Sequence, residues 1–94
     1  MDLIKVFIDK KAKKDMESIP YFIRDKLYQW IERVEVFGID EARKIKGFHD
    51  EPLKGSRKGE RSIRLNKSYR AIYTESIDNQ SFVILIIEVH NHDY

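Results

Sequence analysis

An amphipathic segment in the first half of the chain, YFIRDKLYQWIERVEVFG, limits the available folds more than any other feature. Its apolar residues recur at steps of three and four, which is the spacing of one face of an α-helix, and Gly38 marks its end. The stripe consists of Ile23, Leu27, Trp30, Ile31, Val34 and Phe37. A helix with so wide an apolar face must pack against a second layer of structure.

The second half of the chain predicts that this layer is a β-sheet. The segment FVILIIEV is β-branched and apolar on both faces, which is typical of a central strand. RSIRLN and YRAIYTE alternate apolar and polar residues, which is typical of strands with one buried face, and DLIKVFID predicts a further strand at the N-terminal end. The fourteen residues from Lys46 to Gly59 contain three glycines and little apolar content, so we expect a long loop there.

Two further helices are predicted between the first strand and this loop. One begins at Lys10 and ends before the SIP sequence, because Pro20 disfavours helical geometry in the residue before it. Ser18 is then expected to cap the long amphipathic helix, and DEARKIKG predicts a short last helix capped by Asp40. The expected fold is α+β, in the order β-α-α-β-β-β, with both main helices on one face of a small, twisted, antiparallel-rich sheet.

Length and composition indicate one globular domain spanning residues 1–94. The chain is 41% hydrophobic and 36% charged, which is too apolar for disorder and too polar for a membrane protein. The longest apolar run, Phe82 to Ile87, is six residues and too short to span a bilayer. There are no cysteines and no signal pattern, so we expect a cytoplasmic protein without disulfides or thiolate metal sites.

Basic charge is concentrated in KGSRKGERSIRLNKSYR, the segment from Lys54 to Arg70. Its seven basic residues and single acid, Glu60, give a net charge of +6, whereas the whole chain carries +2 and the remainder therefore −4. One concentrated positive region indicates a polyanionic partner, and nucleic acid is the commonest polyanion in a cell. The alternative is a solvated lysine-rich loop without a partner.

Several groups capable of chemistry are predicted on the uncovered face of the sheet. Arg64 should point there because Ile63 and Leu65 take the core side, and Glu88, His90 and His92 share one face of the last strand. An arginine can stabilise a pentavalent phosphate, and a histidine or carboxylate can transfer protons to and from the sugar oxygens. These residue types suit the cleavage of RNA without a metal.

The same residues also have purely structural interpretations. Arg70 could simply pair with Glu88 across adjacent strands, and His49 could be an ordinary surface histidine. His90 and His92 supply only two of the ligands that a metal site needs, so no metal and no cofactor is predicted.

The segments LKGSRKGERSIRLNKSYRAIYT and EVHNHDY together resemble the RelE/ParE superfamily of bacterial toxins, most closely the HigB/RelE-like toxins of type II toxin-antitoxin systems. The resemblance covers essentially the whole chain. It implies two N-terminal helices packed on a twisted antiparallel sheet. It also implies an endoribonuclease that enters the ribosomal A site and cuts the bound messenger RNA, leaving a 2′,3′-cyclic phosphate. A cognate antitoxin would cover the basic face, and operator DNA would be bound only through the toxin–antitoxin complex.

The resemblance also implies roles for individual residues. The implied catalytic set is Arg64, Arg70, His92, Asp93 and Tyr94, with His49 and His90 as further candidates. The implied RNA-binding set is Lys54, Arg57, Lys58, Arg61 and Lys67. A ParE-like toxin of the same fold, which poisons DNA gyrase through protein contacts without catalysis, is the alternative function. The C-terminal HDY group and the dense basic segment favour the nuclease.

Overall fold

A computed structural model describes residues 4–79 and 81–91 of the chain. The helices are α1 (Lys10–Glu17), α2 (Tyr21–Phe37) and α3 (Ile39–Arg43), and the strands are β1 (Ile4–Ile8), β2 (Glu51–Pro52), β3 (Arg61–Arg64), β4 (Tyr69–Asp78) and β5 (Ser81–Asn91). None of these helices is long and apolar enough to cross a membrane.

The strands form one sheet in the order β1-β5-β4-β3-β2. β1 runs parallel to β5, and the remaining neighbours are antiparallel. Most of the helical stripe packs on one face of this sheet: Trp30 is fully buried, and its ring lies 4.9 Å from that of Tyr73 on β4. The expectation fails for Phe37, which is 58% exposed at the last position of α2. The predicted α+β architecture, with helices on one face of an antiparallel-rich sheet, is therefore confirmed.

The segment from residue 46 to residue 59, which we expected to be an irregular loop, contains more structure than its composition suggests. It holds two short 3₁₀ turns, Lys46–Phe48 and Gly55–Arg57, and between them the two-residue strand β2. β2 extends the sheet by pairing with the start of β3. Phe48 is buried in the core and anchors this segment to the rest of the domain.

Two predicted helix caps are wrong. Ser18 lies at the end of α1, where its hydroxyl donates to the carbonyl oxygen of Asp15, and Pro20 occupies the position before α2. Asp40 lies inside α3, which begins at Ile39, two residues earlier than a cap at Asp40 implies and directly after Gly38. Gly38 has a φ of 92°, a conformation that costs glycine little, so the chain can turn sharply between α2 and α3 without an intervening loop.

A β-bulge interrupts the pairing of β4 with β5. Ile72 pairs with Glu88 while the next residue, Tyr73, pairs with Ile86, so Ile87 is an extra residue on β5. Ile86 faces the core, and Glu88, two positions further along the same strand, faces the side of the sheet that the helices leave uncovered. The bulge thus reverses the alternation along β5: Ile86 faces the core before it, and after it Glu88 faces the open side while Val89 faces the core.

Candidate active site

A cleft of about 450 Å³ lies on the open face of the sheet. Its lining comes from β2 and the segment after it, from β3, and from the facing parts of β4 and β5. The lining residues are Glu51, Leu53, Arg57, Ser62, Arg70, Ile72, Glu88 and His90. Most of these side chains are charged or polar, so the cleft suits a charged ligand better than an apolar one.

Strand register brings the polar groups of the cleft together. Arg64 on β3 lies opposite Arg70 on β4, and Arg70 lies opposite His90 on β5. Residues that lie directly opposite one another share a face of the sheet, so these three side chains form one row across three strands. The sequence-predicted residues Arg70 and His90 are thus brought together in the cleft, and Arg64 lies exposed beside it.

Arg70 is the less exposed of the two arginines that line the cleft. Its Nη1 donates a 2.7 Å hydrogen bond to Oγ of the buried Ser62, and its Nη2 lies 3.5 Å from Oε1 of Glu51. The side chain is only 17% exposed, yet it lines the cleft. The alternative pairing of Arg70 with Glu88 is not observed, because Arg70 lies opposite His90, whereas Glu88, two residues earlier on β5, lies opposite Ile72 and contacts Arg57.

Arg57 and Glu88 connect the two sides of the cleft. Nη1 and Nη2 of Arg57 each lie 3.4 Å from one carboxylate oxygen of Glu88, and Nε donates a 2.5 Å hydrogen bond to Glu60. Hydrogen bonds to Glu60 and then Glu88 outweigh the cost of burial and raise the pKa of the Arg57 guanidinium. The turn that carries Arg57 is thereby tied to β5, and Lys11 on α1 approaches the same carboxylate at 3.8 Å.

Each histidine within the described ranges lies beside a carboxylate. His90 Nε2 is 3.5 Å from Oε2 of Glu88 inside the cleft, and His49 Nε2 is 3.5 Å from Oε2 of Glu51 at its rim. Imidazole and carboxylate groups exchange protons near neutral pH, so the cleft contains groups for proton transfer next to two arginines that can stabilise negative charge. No group of three potential metal-ligating side chains occurs among residues 4–79 and 81–91.

The predicted RNA-binding residues divide into two groups. Lys54, Lys58 and Lys67 are exposed around the cleft side of the molecule, and Arg57 lines the cleft itself. Arg61 is not brought together with them, because its Nε donates a 2.7 Å hydrogen bond to the buried carboxylate of Asp50, which also contacts the core residue Tyr73. The predicted catalytic residues His92, Asp93 and Tyr94 lie outside the residues that the structure describes.

The sequence analysis did not identify Glu51 and Ser62 as members of the site. Both belong to the pairing of β2 with β3, in which Glu51 lies opposite Ser62, and β2 was not predicted. Glu88 was placed on the open face from the sequence but was given no role. The available signal for Glu51 was an acid two residues after His49 in a polar segment.

No protein-family model matches the sequence, and comparison with curated proteins gives no match either. Solved structures, in contrast, match along nearly the whole chain. The YoeB/ParE toxin from Agrobacterium tumefaciens is 20% identical, with 95% of this chain and 99% of that chain covered and a TM-score of 0.72. YafQ from E. coli strain BL21(DE3) is 15% identical, with 97% and 93% covered and a TM-score of 0.70.

A third match is the YoeB-YefM complex from Staphylococcus aureus, at 20% identity, with 97% of this chain and 98% of that chain covered and a TM-score of 0.67. These structures agree with the resemblance that the sequence indicated and cover all of its elements. The described helices and five-stranded sheet therefore share the fold of these solved toxin structures.

Proposed function

We propose that this chain is the toxin of a type II toxin-antitoxin system and acts as a ribosome-dependent endoribonuclease that cuts messenger RNA in the A site. The observation that carries the proposal is the cleft in which Arg57 and Arg70 lie beside the Glu88–His90 and Glu51–His49 pairs. A gyrase-binding toxin needs no such combination of cations and proton-transfer groups. The closer affiliation with HigB toxins remains a prediction.

Cleavage would proceed by attack of the ribose 2′-oxygen on the adjacent phosphorus. The 2′-hydroxyl gives up its proton, the new oxygen–phosphorus bond forms, the bond to the 5′-oxygen breaks, and that oxygen takes up a proton. The products are a 2′,3′-cyclic phosphate and a 5′-hydroxyl. Arg70 is fixed by Ser62 and can stabilise the additional negative charge of the pentavalent phosphate without rearranging.

Two groups of the cleft can transfer the required protons. Glu51 is 45% exposed and lies beside Arg70, so its carboxylate can accept the proton of a 2′-hydroxyl whose phosphate contacts that arginine. His90, on the other side of Arg70 across the strands, can donate the proton that the 5′-oxygen needs. His92, as general acid or base, and Tyr94, for stacking or proton transfer, remain predictions from the sequence resemblance, as does a role for Asp93.

The exposed cations around the cleft would hold the RNA backbone. Lys54, Lys58, Lys67 and Arg64 are exposed, and the described residues give them no ion-pair partner. Each phosphate that a cation neutralises releases counterions, so binding should weaken steeply with salt. This arrangement fits a substrate held along its backbone while one phosphate occupies the cleft.

A cognate antitoxin is the expected protein partner. The matching solved structures include the toxin-antitoxin complexes DinJ-YafQ from E. coli and RelBE2 from Mycobacterium tuberculosis, together with the YoeB-YefM complex from Staphylococcus aureus. We expect an antitoxin of this chain to cover the basic face, and contact with operator DNA would occur only through that complex. A toxin that acts on ribosomes would work in the cytoplasm.

Primer extension on a defined messenger, incubated with purified protein in the presence and absence of ribosomes, tests the proposal. We expect cuts only with ribosomes, and none with a variant that lacks His92, Asp93 and Tyr94. Absence of cuts in all reactions, together with growth arrest in cells and inhibition of gyrase supercoiling, would replace the nuclease with the gyrase poison.

A further inference from the structure

The carboxylate of Asp50 is completely shielded from solvent, although Asp50 belongs to the polar segment between α3 and β3. Its Oδ1 accepts a 2.7 Å hydrogen bond from Nε of Arg61, and its Oδ2 accepts a 2.6 Å hydrogen bond from the hydroxyl of Tyr73. A buried carboxylate is tolerated only when it is paired and hydrogen-bonded, and both conditions are met here. The segment that carries Asp50 is thus fixed at one point to β3 and β4.

This attachment continues into the core and to the neighbouring helix. The hydroxyl of Tyr73 accepts a 3.4 Å hydrogen bond from Nε of Arg43 on α3, and Arg43 in turn contacts Glu75 at 2.6 Å. The Tyr73 ring is fully buried and packs on Trp30. The point to which Asp50 is bound is therefore one of the most enclosed places in the domain.

The two neighbours of Asp50 in the chain face the cleft. Glu51 lies opposite Ser62 in the β2–β3 pair and reaches Arg70, and His49 contacts Glu51. His49 has a φ of 45° and a ψ of 55°, a left-handed conformation that is unfavourable for a residue with a side chain. Such a conformation persists only where the surrounding structure holds it, and His49 lies between two anchored residues, Phe48 in the core and Asp50 with its buried contacts.

We propose that Asp50 is a positioning residue for the cleft: its buried carboxylate fixes residues 49–51 so that Glu51 meets Arg70 and His49 meets Glu51. The expected effect on cleavage rests on the proposed function, whereas the expected effect on the conformation of residues 49–51 does not. Since Asp50 and Glu51 are consecutive and face opposite sides of the sheet, loss of the buried contact leaves Glu51 held by the short β2–β3 pairing and its half-exposed contacts with Arg70 and His49, with Phe48 as the nearest core anchor.

The test compares Asp50→Asn with two control variants. Asp25→Asn makes the same chemical change on the exposed face of α2, and Val34→Ala lowers stability by a core truncation on the helix side, away from the cleft. Amide hydrogen exchange is followed at His49 and Leu53, whose amides donate to Lys46 and Glu60, with Leu27 in α2 as the reference. Single-turnover cleavage on ribosomes gives the rate and the half-saturating concentration.

We expect Asp50→Asn to accelerate exchange at His49 and Leu53 by about tenfold or more relative to Leu27, and Val34→Ala to show no such local difference. The cleavage rate of Asp50→Asn should fall about tenfold or more, with the half-saturating concentration within about threefold of the wild type. Should Asp50→Asn fail to fold, Tyr73→Phe, which removes one of the two donors to Asp50, is expected to cause the same changes to a smaller extent.

Unchanged exchange at both amides would overturn the positioning role, whether or not the wild-type protein cleaves RNA. Equal loss of cleavage in Asp50→Asn and Val34→Ala would also overturn it, because Asp50 would then contribute only to global stability. Local loosening in a protein whose wild type cuts no messenger would retain the structural role and reject the proposed function, so the two failures are distinguishable.

Discussion

Replacing Arg70 by alanine should separate chemistry from binding. Arg70 is held by the 2.7 Å bond to Ser62 and is the cation best placed to meet a phosphate in the cleft. Removing one fixed donor from a developing anion typically costs about 2.7 to 4 kcal/mol, or about 10²- to 10³-fold in kcat. Binding should change less, about threefold or below in KM, because other cations of the basic face still hold the RNA backbone.

Arg70→Ala should also lower the stability of the domain, so thermal stability must be measured together with activity. Loss of a hydrogen bond that involves a charged group costs about 1.5 to 3 kcal/mol, which for a domain of this size lowers Tm by roughly 6 to 24 °C. Thermal melting therefore fixes the assay temperature, and Arg33→Ala on the distant helix α2, where Arg33 lies over the Phe37 ring, is the matched control. Arg70→Lys should recover only part of the rate, since lysine cannot form a planar two-point contact with phosphate.

Primer extension under multiple-turnover conditions, over a range of ribosome concentrations, yields kcat and KM for each variant. A kcat equal to that of the wild type, with KM raised more than about tenfold, would refute the reasoning, because Arg70 would then bind the ground state and the transition state equally. Loss of activity in Arg33→Ala as large as in Arg70→Ala would refute it as well.

Three further predictions concern titratable and charged groups in the cleft, around the cleft and in the core of the domain. Burial and the hydrogen bond to Asp50 raise the pKa of Tyr73 above its ordinary value of 10.0, so the folded state holds this proton more tightly than the unfolded state. The protonated Tyr73 hydroxyl therefore contributes its full stabilisation below about pH 10, and this contribution decreases as the pH rises above that value. Urea denaturation from about pH 9 to about pH 11 should accordingly show that the free energy of unfolding depends less on pH in Tyr73→Phe than in the wild type. Changing Lys54, Lys58 and Lys67 together to glutamine should weaken ribosome binding and reduce the slope of log affinity against log salt by roughly 0.7 for each lost phosphate contact; an unchanged slope would remove these lysines from the RNA-binding surface. Glu88→Gln removes a negative charge from the cleft and should tighten RNA binding by about 3- to 10-fold in filter-binding titrations, and weaker binding would show that Glu88 serves mainly to hold Arg57.

The periodicity of apolar residues in the sequence was sufficient to predict most of the fold. The helical stripe around Trp30 and the alternation around Ile63 are local patterns, and both elements lie where these patterns place them. Arg70 and His90 could be assigned to the open face for the same reason. The alternation that puts Ile63 in the core also puts Arg61 on that side, and this signal could have separated Arg61 from the RNA-binding residues.

The parts that the sequence did not reveal depend on contacts between distant segments. Glu51 became a cleft residue only because a two-residue strand pairs with β3, and no pattern of two residues can predict a strand. The burial of Asp50 likewise depends on Arg61 and Tyr73, which are 11 and 23 positions away. Local propensity contains no information about such pairs, so side chains of a polar segment are the hardest members of a site to predict.

The extra residue at Ile87 has a consequence for how this strand tolerates mutation. Even-numbered positions of β5 face the core up to Ile86 and face the cleft from Glu88 onward. A saturation scan along β5 should therefore show a reversal of phase at this point: even positions before it should accept only apolar residues, and even positions after it should accept polar ones. Because Val89 takes the core side after the bulge, the core-facing and cleft-facing positions there alternate along one strand, and the two sets can diverge in sequence independently.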